Sequence, residues 1–111
     1  MISVEAILRT NLHSKSVKKD FLAKLTDYLT QLFETEPKHI ILELHTDVVM
    51  MRAGNTDSML NMNLYHNSTS ITQETKHAYA SKIAQFMSKE IKVPEQRVLV
   101  LFIDTSKCTR Y

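Results

Sequence analysis

Groups able to carry protons, bind metals or attack electrophiles are few and scattered in this chain of 111 residues. Five histidines, His13, His39, His45, His66 and His77, have the side chain best suited to proton transfer near neutral pH and to zinc binding. None pairs with another at the i, i+4 spacing that places two imidazoles on one helix face, and His39 and His45 share a strand only at a distance. Ordinary surface or partly buried roles are expected, with no metal and no cofactor. The single cysteine, Cys108, can form neither an internal disulfide nor a cysteine cluster for zinc. It sits near the end of the chain, where an inert thiol is expected. Six methionines, among them Met50, Met51, Met59 and Met62, read as core filler rather than a soft-metal site. Asn67-Ser68-Thr69 fits the glycosylation pattern, and a chance match is expected because no signal-peptide pattern opens the chain.

The totals narrow the class. Hydrophobic residues at 43% and charged residues at 23% fit a single globular domain covering residues 1–111, with a core that needs no disulfide staples. The longest apolar run, Val98 to Ile103, is too short to cross a membrane as a helix. A net charge of +2 with interspersed signs offers no basic stripe for phosphates, so neither nucleic acid nor membrane is an expected partner.

The elements that must position any site follow from periodicity. Ile2, Val4, Ala6 and Leu8 alternate with Ser3, Glu5, Ile7 and Arg9 as a strand with one mainly apolar face. Val17, Phe21, Leu25, Leu29 and Leu32, joined by Leu22, Tyr28 and Phe33, recur at helical spacing, with Ser16 as cap, Asp20 in the first turn and Pro37 beyond the end. Ile40, Leu42 and Leu44 alternate as a second strand. The helix between these strands is long enough for a right-handed crossover, so the two should run parallel. Val48 to Met51 reads as a short extended piece. Gly54, the only glycine, marks a turn needing positive φ. The plan then repeats: a strand with Leu60, Met62 and Leu64, a helix starting near Ser70 or Thr72 with a stripe of Tyr79, Ile83, Phe86 or Met87, and Ile91, a stop at Pro94, and a last strand from Arg97 to Ile103.

Two tandem βαβ units fit either a ferredoxin-like domain or a tautomerase fold, and periodicity does not separate them. The ordered set Thr10-Asn11, the helix around Phe21 to Thr26, Asp47-Val48-Val49-Met50, Val93-Pro94-Glu95-Gln96-Arg97-Val98 and Phe102-Ile103-Asp104 does. In order and spacing it resembles the macrophage migration inhibitory factor and D-dopachrome tautomerase family from about Val4 to Asp104. That resemblance implies an α+β two-layer sandwich, with a four-stranded mixed sheet carrying both helices on one face. It also implies a homotrimer whose sheets line the inside. The run Val98 to Ile103, apolar on both faces, agrees with a covered second face, or equally with a central strand buried within one subunit.

The resemblance further implies a tautomerase site built on an amino-terminal proline, whose secondary amine moves a proton at the carbon beside a carbonyl. Here Val4 takes that place and three residues precede it. The amine of Met1 would stand about 10 Å beyond, so it would have to fold back to serve. Thr35 stands in place of a lysine that pairs with the substrate carboxylate, His39 in place of a rim aromatic, and Asn67 begins a polar stretch replacing an apolar turn. Leu99 and Leu101 replace a tyrosine and an asparagine, and the chain stops at Tyr111 before the usual aromatic tail. Met59 and Met62 occupy the positions of a Cys-x-x-Cys pair found in some members, and thioethers cannot exchange disulfides. Asp47 matches an acidic receptor-contact position.

The expected function is therefore a cytokine-like, protein-binding pseudoenzyme that has lost keto–enol tautomerase activity, with a degenerate pocket of Ile2, Val4, Thr35, His39, Asn67, Leu99 and Leu101. A divergent tautomerase acting on phenylpyruvate-like or dopachrome-like compounds is the alternative, and an intracellular binding module the next. The expected location is cytoplasmic, with export independent of a leader.

Overall fold

A computed structural model describes residues 1–107. Cys108 and Tyr111, both singled out above, lie outside the described residues.

Four strands form one mixed sheet, β1 (Val4–Thr10), β2 (Ile40–His45), β3 (Leu60–His66) and β4 (Val98–Asp104), in the order β2-β1-β3-β4. Helix α1 (Phe21–Leu32) links β1 to β2, and α2 (Lys76–Ile91) links β3 to β4. Each linked pair is parallel, as a helical crossover requires, and the two units meet along an antiparallel β1–β3 seam. The repeat read from periodicity is thus the architecture.

Strand parity sets the two layers. Val4, Ala6 and Leu8 of β1 and Leu60, Met62 and Leu64 of β3 are buried in one cluster with Phe21, Leu25 and Leu29 of α1 and Ile83, Met87 and Ile91 of α2. Both helices therefore cover the same face. Aromatic rings join the helices to each other: Tyr28 stacks on Phe86 with centroids 4.6 Å apart, and Phe33 stacks on Tyr79 at 5.3 Å. Lys24 adds ion pairs to Glu90 at 3.3 Å and Asp20 at 3.6 Å, and the hydrogen bond to Glu90, with the charge of Asp20 behind it, raises the Lys24 pKa. On an exposed surface such pairs add little stability.

No helix among the described residues covers the opposite face, and the register aligns it in rows: Ile41-Glu5-Tyr65-Ile103, Glu43-Ile7-Asn63-Leu101 and His45-Arg9-Asn61-Leu99. Ile41 and Leu101 are 60% and 50% exposed, large values for aliphatic residues in a sheet. The two-sided apolar character of β4 thus belongs to an edge strand with one open face, not to a central strand.

Thr10 and Asn11 hold the sheet to its main loop. The buried Thr10 hydroxyl donates to the Met59 carbonyl at 2.7 Å, and the Asn11 amide donates to the Thr56 carbonyl while its oxygen accepts from the Met59 N–H. From the far side Arg97 donates to the carbonyls of Arg52, Asp57 and Ser58. A single loop is clamped by two elements. Its tip is a two-residue turn in which Ala53 and Gly54 both have positive φ, 54° and 78°, closed by reciprocal Arg52–Asn55 backbone hydrogen bonds.

Several boundaries differ from expectation. Ser14–Ser16 forms a short 3-10 turn, and α1 begins five residues after Ser16, behind Asp20. Helix α2 starts at Lys76, because Thr72 and Thr75 hydrogen-bond to one another and to nearby backbone in a turn that precedes it. Val48 to Met51 forms no strand; Asp47 and Val48 donate backbone hydrogen bonds to Leu12 and Thr10 at the end of β1, and Met51 is 69% exposed rather than core. Helix α2 ends at Ile91, before Pro94 is reached, because Lys92 beyond it has a φ of 61° that breaks the run.

Candidate functional site

The N-terminal end of β1 lies where β2 begins and where β3 and β4 end, so four elements converge there. Val4 is inside the sheet, paired with Ile40 on one side and His66 on the other, and is 1% exposed. Its nitrogen is a backbone amide, which has no basic lone pair to offer.

The three preceding residues form an arm gripped by two side chains. Asn67 accepts from the Ser3 N–H at 2.8 Å and donates to the Met1 carbonyl at 2.9 Å. Thr35 donates to the Ile2 carbonyl at 2.7 Å. The hydroxyl expected to face a ligand is thus engaged with the chain's own backbone. Ile2 packs against the core, and Met1 is 83% exposed beyond it.

Beside the arm lies an open groove of about 270 Å³, bounded by Ser3, Glu5, Lys38, His39, Ile41 and Tyr65. His39 also borders a neighbouring hollow with Met1, Ile2, Thr35 and Glu36. Its Nε2 is enclosed and has no hydrogen-bond partner among the described residues, with the Glu36 carboxylate 3.8 Å away. The groove combines a cation, an imidazole, hydroxyls and an apolar wall. Such a lining can bind a small polar molecule. Sequence reasoning singled out His39 but missed Glu5, Ile41 and Tyr65. The signal was the strand parity that puts these three in one row.

Of the remaining predicted site residues, Ile2, Val4, Thr35, His39 and Asn67 come together at this end. Leu99 and Leu101 do not: Leu99 lies in the row of Arg9 and Leu101 in that of Ile7, toward the opposite end of the sheet and two strands from β1. Asp47 is elsewhere again, in a left-handed conformation with φ 58°, accepting from the Ser14 N–H and facing His13 Nε2 at 3.8 Å. Met59 and Met62 are buried. No group of three or more metal-ligating side chains occurs among the described residues, and no helix there is long and apolar enough to cross a membrane.

Behind the groove, on the helix side, His66 is 3% exposed. Its Nδ1 accepts from the Ser68 N–H at 3.1 Å, and its ring meets the edge of Phe102 at a centroid distance of 6.2 Å. Burial lowers its pKa, an effect opposed by the charge of Asp104.

These features define a class: a two-layer α+β domain of tandem βαβ units with a site at the head of its first strand. The sequence model of the macrophage migration inhibitory factor family matches residues 4–109, and the chain belongs to that family. Among solved structures, the factor from Trichinella spiralis superposes with a TM-score of 0.83 at 17% identity, covering 90% of this chain and 88% of that one. The factor from Oncomelania hupensis gives 0.82 at 18% identity, covering 90% and 72%. A homologue from Prochlorococcus marinus gives 0.76 at 14% identity, covering 88% and 85%. No match to this sequence was found among curated proteins.

Proposed function

We propose that this chain is a cytokine-like, protein-binding member of its family in which keto–enol tautomerisation has been lost, acting as a homotrimer. One observation carries the reading: the residue at the head of β1 is an enclosed valine whose nitrogen is a peptide amide, and the arm before it is held by hydrogen bonds from Thr35 and Asn67. General base catalysis needs a group whose conjugate acid titrates near the working pH, within hydrogen-bond reach of the substrate proton. An amide does not meet that need. Assembly through the open sheet face would bury Ile41, Leu99 and Leu101, which supports the trimer.

The test is incubation of the purified protein with the enol form of a phenylpyruvate-like compound, following loss of enol absorbance. The background rate is expected. Turnover near that of an active family member would end the proposal.

A second reading, a divergent tautomerase, draws on His39 Nε2 at the groove, which has no hydrogen-bond partner among the described residues. It predicts activity that disappears in His39→Ala and persists when residues 1–3 are removed.

A further inference from the structure

The hydrogen bond from the Ser68 N–H to His66 Nδ1 closes a tight turn with Asn67 at its centre. Asn67 is the residue whose side chain grips the arm, accepting from Ser3 and donating to Met1. The same turn is fixed from its other sides by the Thr105 hydroxyl, which donates to the His66 carbonyl at 3.0 Å, and by Ser68 Oγ, which accepts from the Ser70 N–H at 3.1 Å. The direction of the His66–Ser68 bond sets the ring's state. Nδ1 accepts, so the neutral ring carries its proton on Nε2.

We propose that His66 is a proton-operated latch for the N-terminal arm: the neutral ring holds the turn that lets Asn67 clamp Met1 to Ser3, and protonation of the ring releases them. A protonated imidazole bears N–H on both nitrogens. Nδ1–H would then confront the Ser68 N–H, donor against donor, and the bond is lost. The turn must rotate to separate them, and Asn67 is carried with it. Released, the arm withdraws Ser3 from one wall of the groove and Met1 and Ile2 from the hollow beside it.

The groups facing the ring agree with this action. From β1 its register neighbour is the apolar Val4, and from β4 it meets the Phe102 ring and the charge of Asp104. Asp104 Oδ1 is itself engaged by the Ser106 N–H and hydroxyl at 2.9 and 2.7 Å. Burial outweighs Asp104, so protonation requires acidity below the ordinary histidine range and the arm is held at neutral pH. The latch is independent of whether the groove turns over any substrate.

Amide hydrogen exchange resolved by NMR on the full chain, with each rate corrected for the intrinsic pH dependence, tests it from about pH 7.5 downward through the titration of the His66 ring. The protection factor of the Ser3 amide should fall about tenfold or more as the imidazole of His66 titrates, while the Leu64 amide in mid-strand keeps its protection. In His66→Asn, whose side-chain oxygen can accept from Ser68 without titrating, Ser3 protection should stay flat with pH. In Asn67→Ala it should be low throughout. Ser3 protection that ignores the His66 titration overturns the latch. So does a pH response retained in His66→Asn, or loss of Leu64 protection together with Ser3, which would signal general unfolding. If His66→Asn does not fold, coincidence of the Ser3 and His66 midpoints in the unmodified chain decides the matter.

Discussion

The hydroxyl of Thr35 donates to the carbonyl of Ile2 at 2.7 Å, so the side chain at the expected carboxylate-binding position holds the chain's own arm in place. Thr35→Val should cost about 1 kcal/mol in stability, the ordinary net value of such a bond, and raise exchange at residues 1–3. Chemical denaturation and hydrogen exchange measure the two effects. Thr35→Lys should restore a cation without restoring tautomerase turnover, because no amine stands at Val4.

Arg97, just before β4, ties down the loop at 52–58 through four carbonyls at 2.8–3.5 Å. Arg97→Ala should destabilise by about 1–3 kcal/mol, since charge-assisted bonds are lost and part-buried carbonyls are left unmatched. Arg97→Lys should recover only part of this, because an ammonium cannot reproduce the planar fork. Urea midpoints for the three proteins provide the check.

Thr10 is wholly buried, and its hydroxyl both donates to Met59 and accepts from the Leu12 N–H. Thr10→Val keeps the shape and removes both bonds, for a loss of about 1–3 kcal/mol. Thr10→Ser keeps the bonds and should lose less. The comparison separates hydrogen bonding from packing in thermal unfolding.

Stability should fall on acidification. The folded His66 pKa lies below its ordinary value of 6.5, so the unfolded chain binds the proton more readily. The contribution of the neutral ring is complete above about pH 6.5 and declines as pH drops toward the folded value. Urea unfolding at neutral and mildly acidic pH should show this decline, smaller in His66→Asn.

Leu101 is half exposed on the open face. Leu101→Glu should change the stability of an isolated subunit by about 0.5 kcal/mol or less while abolishing assembly. Sedimentation at micromolar concentration distinguishes a trimer that dissociates from a chain that was monomeric throughout.

The architecture was legible because alternation in β1 and β3 and the 3.6-residue stripes of α1 and α2 record which side of each element meets the core. Helix starts were less so. Ser16 and Ser70 have capping side chains, but local 3-10 and Thr72–Thr75 hydrogen bonds use the adjacent backbone first. Asn67 read as a replaced pocket wall or a chance sequon. Its partners are 64 and 66 residues away in sequence, and no local pattern encodes a clamp between strand ends. The separation of Leu99 from Val4 within one subunit required the strand order, which periodicity leaves undetermined.

Among the described residues, four other than glycine, Glu34, Asp47, Ala53 and Lys92, adopt a backbone hand that a β-carbon disfavours. Each corner therefore holds back folding energy that the rest of the domain has to cover. Lys92, exposed at the close of α2, is the simplest to relieve: glycine there would trade a looser unfolded chain for an unstrained bend. A variant library aimed at hardening this scaffold would do well to begin at its corners and leave its interior alone.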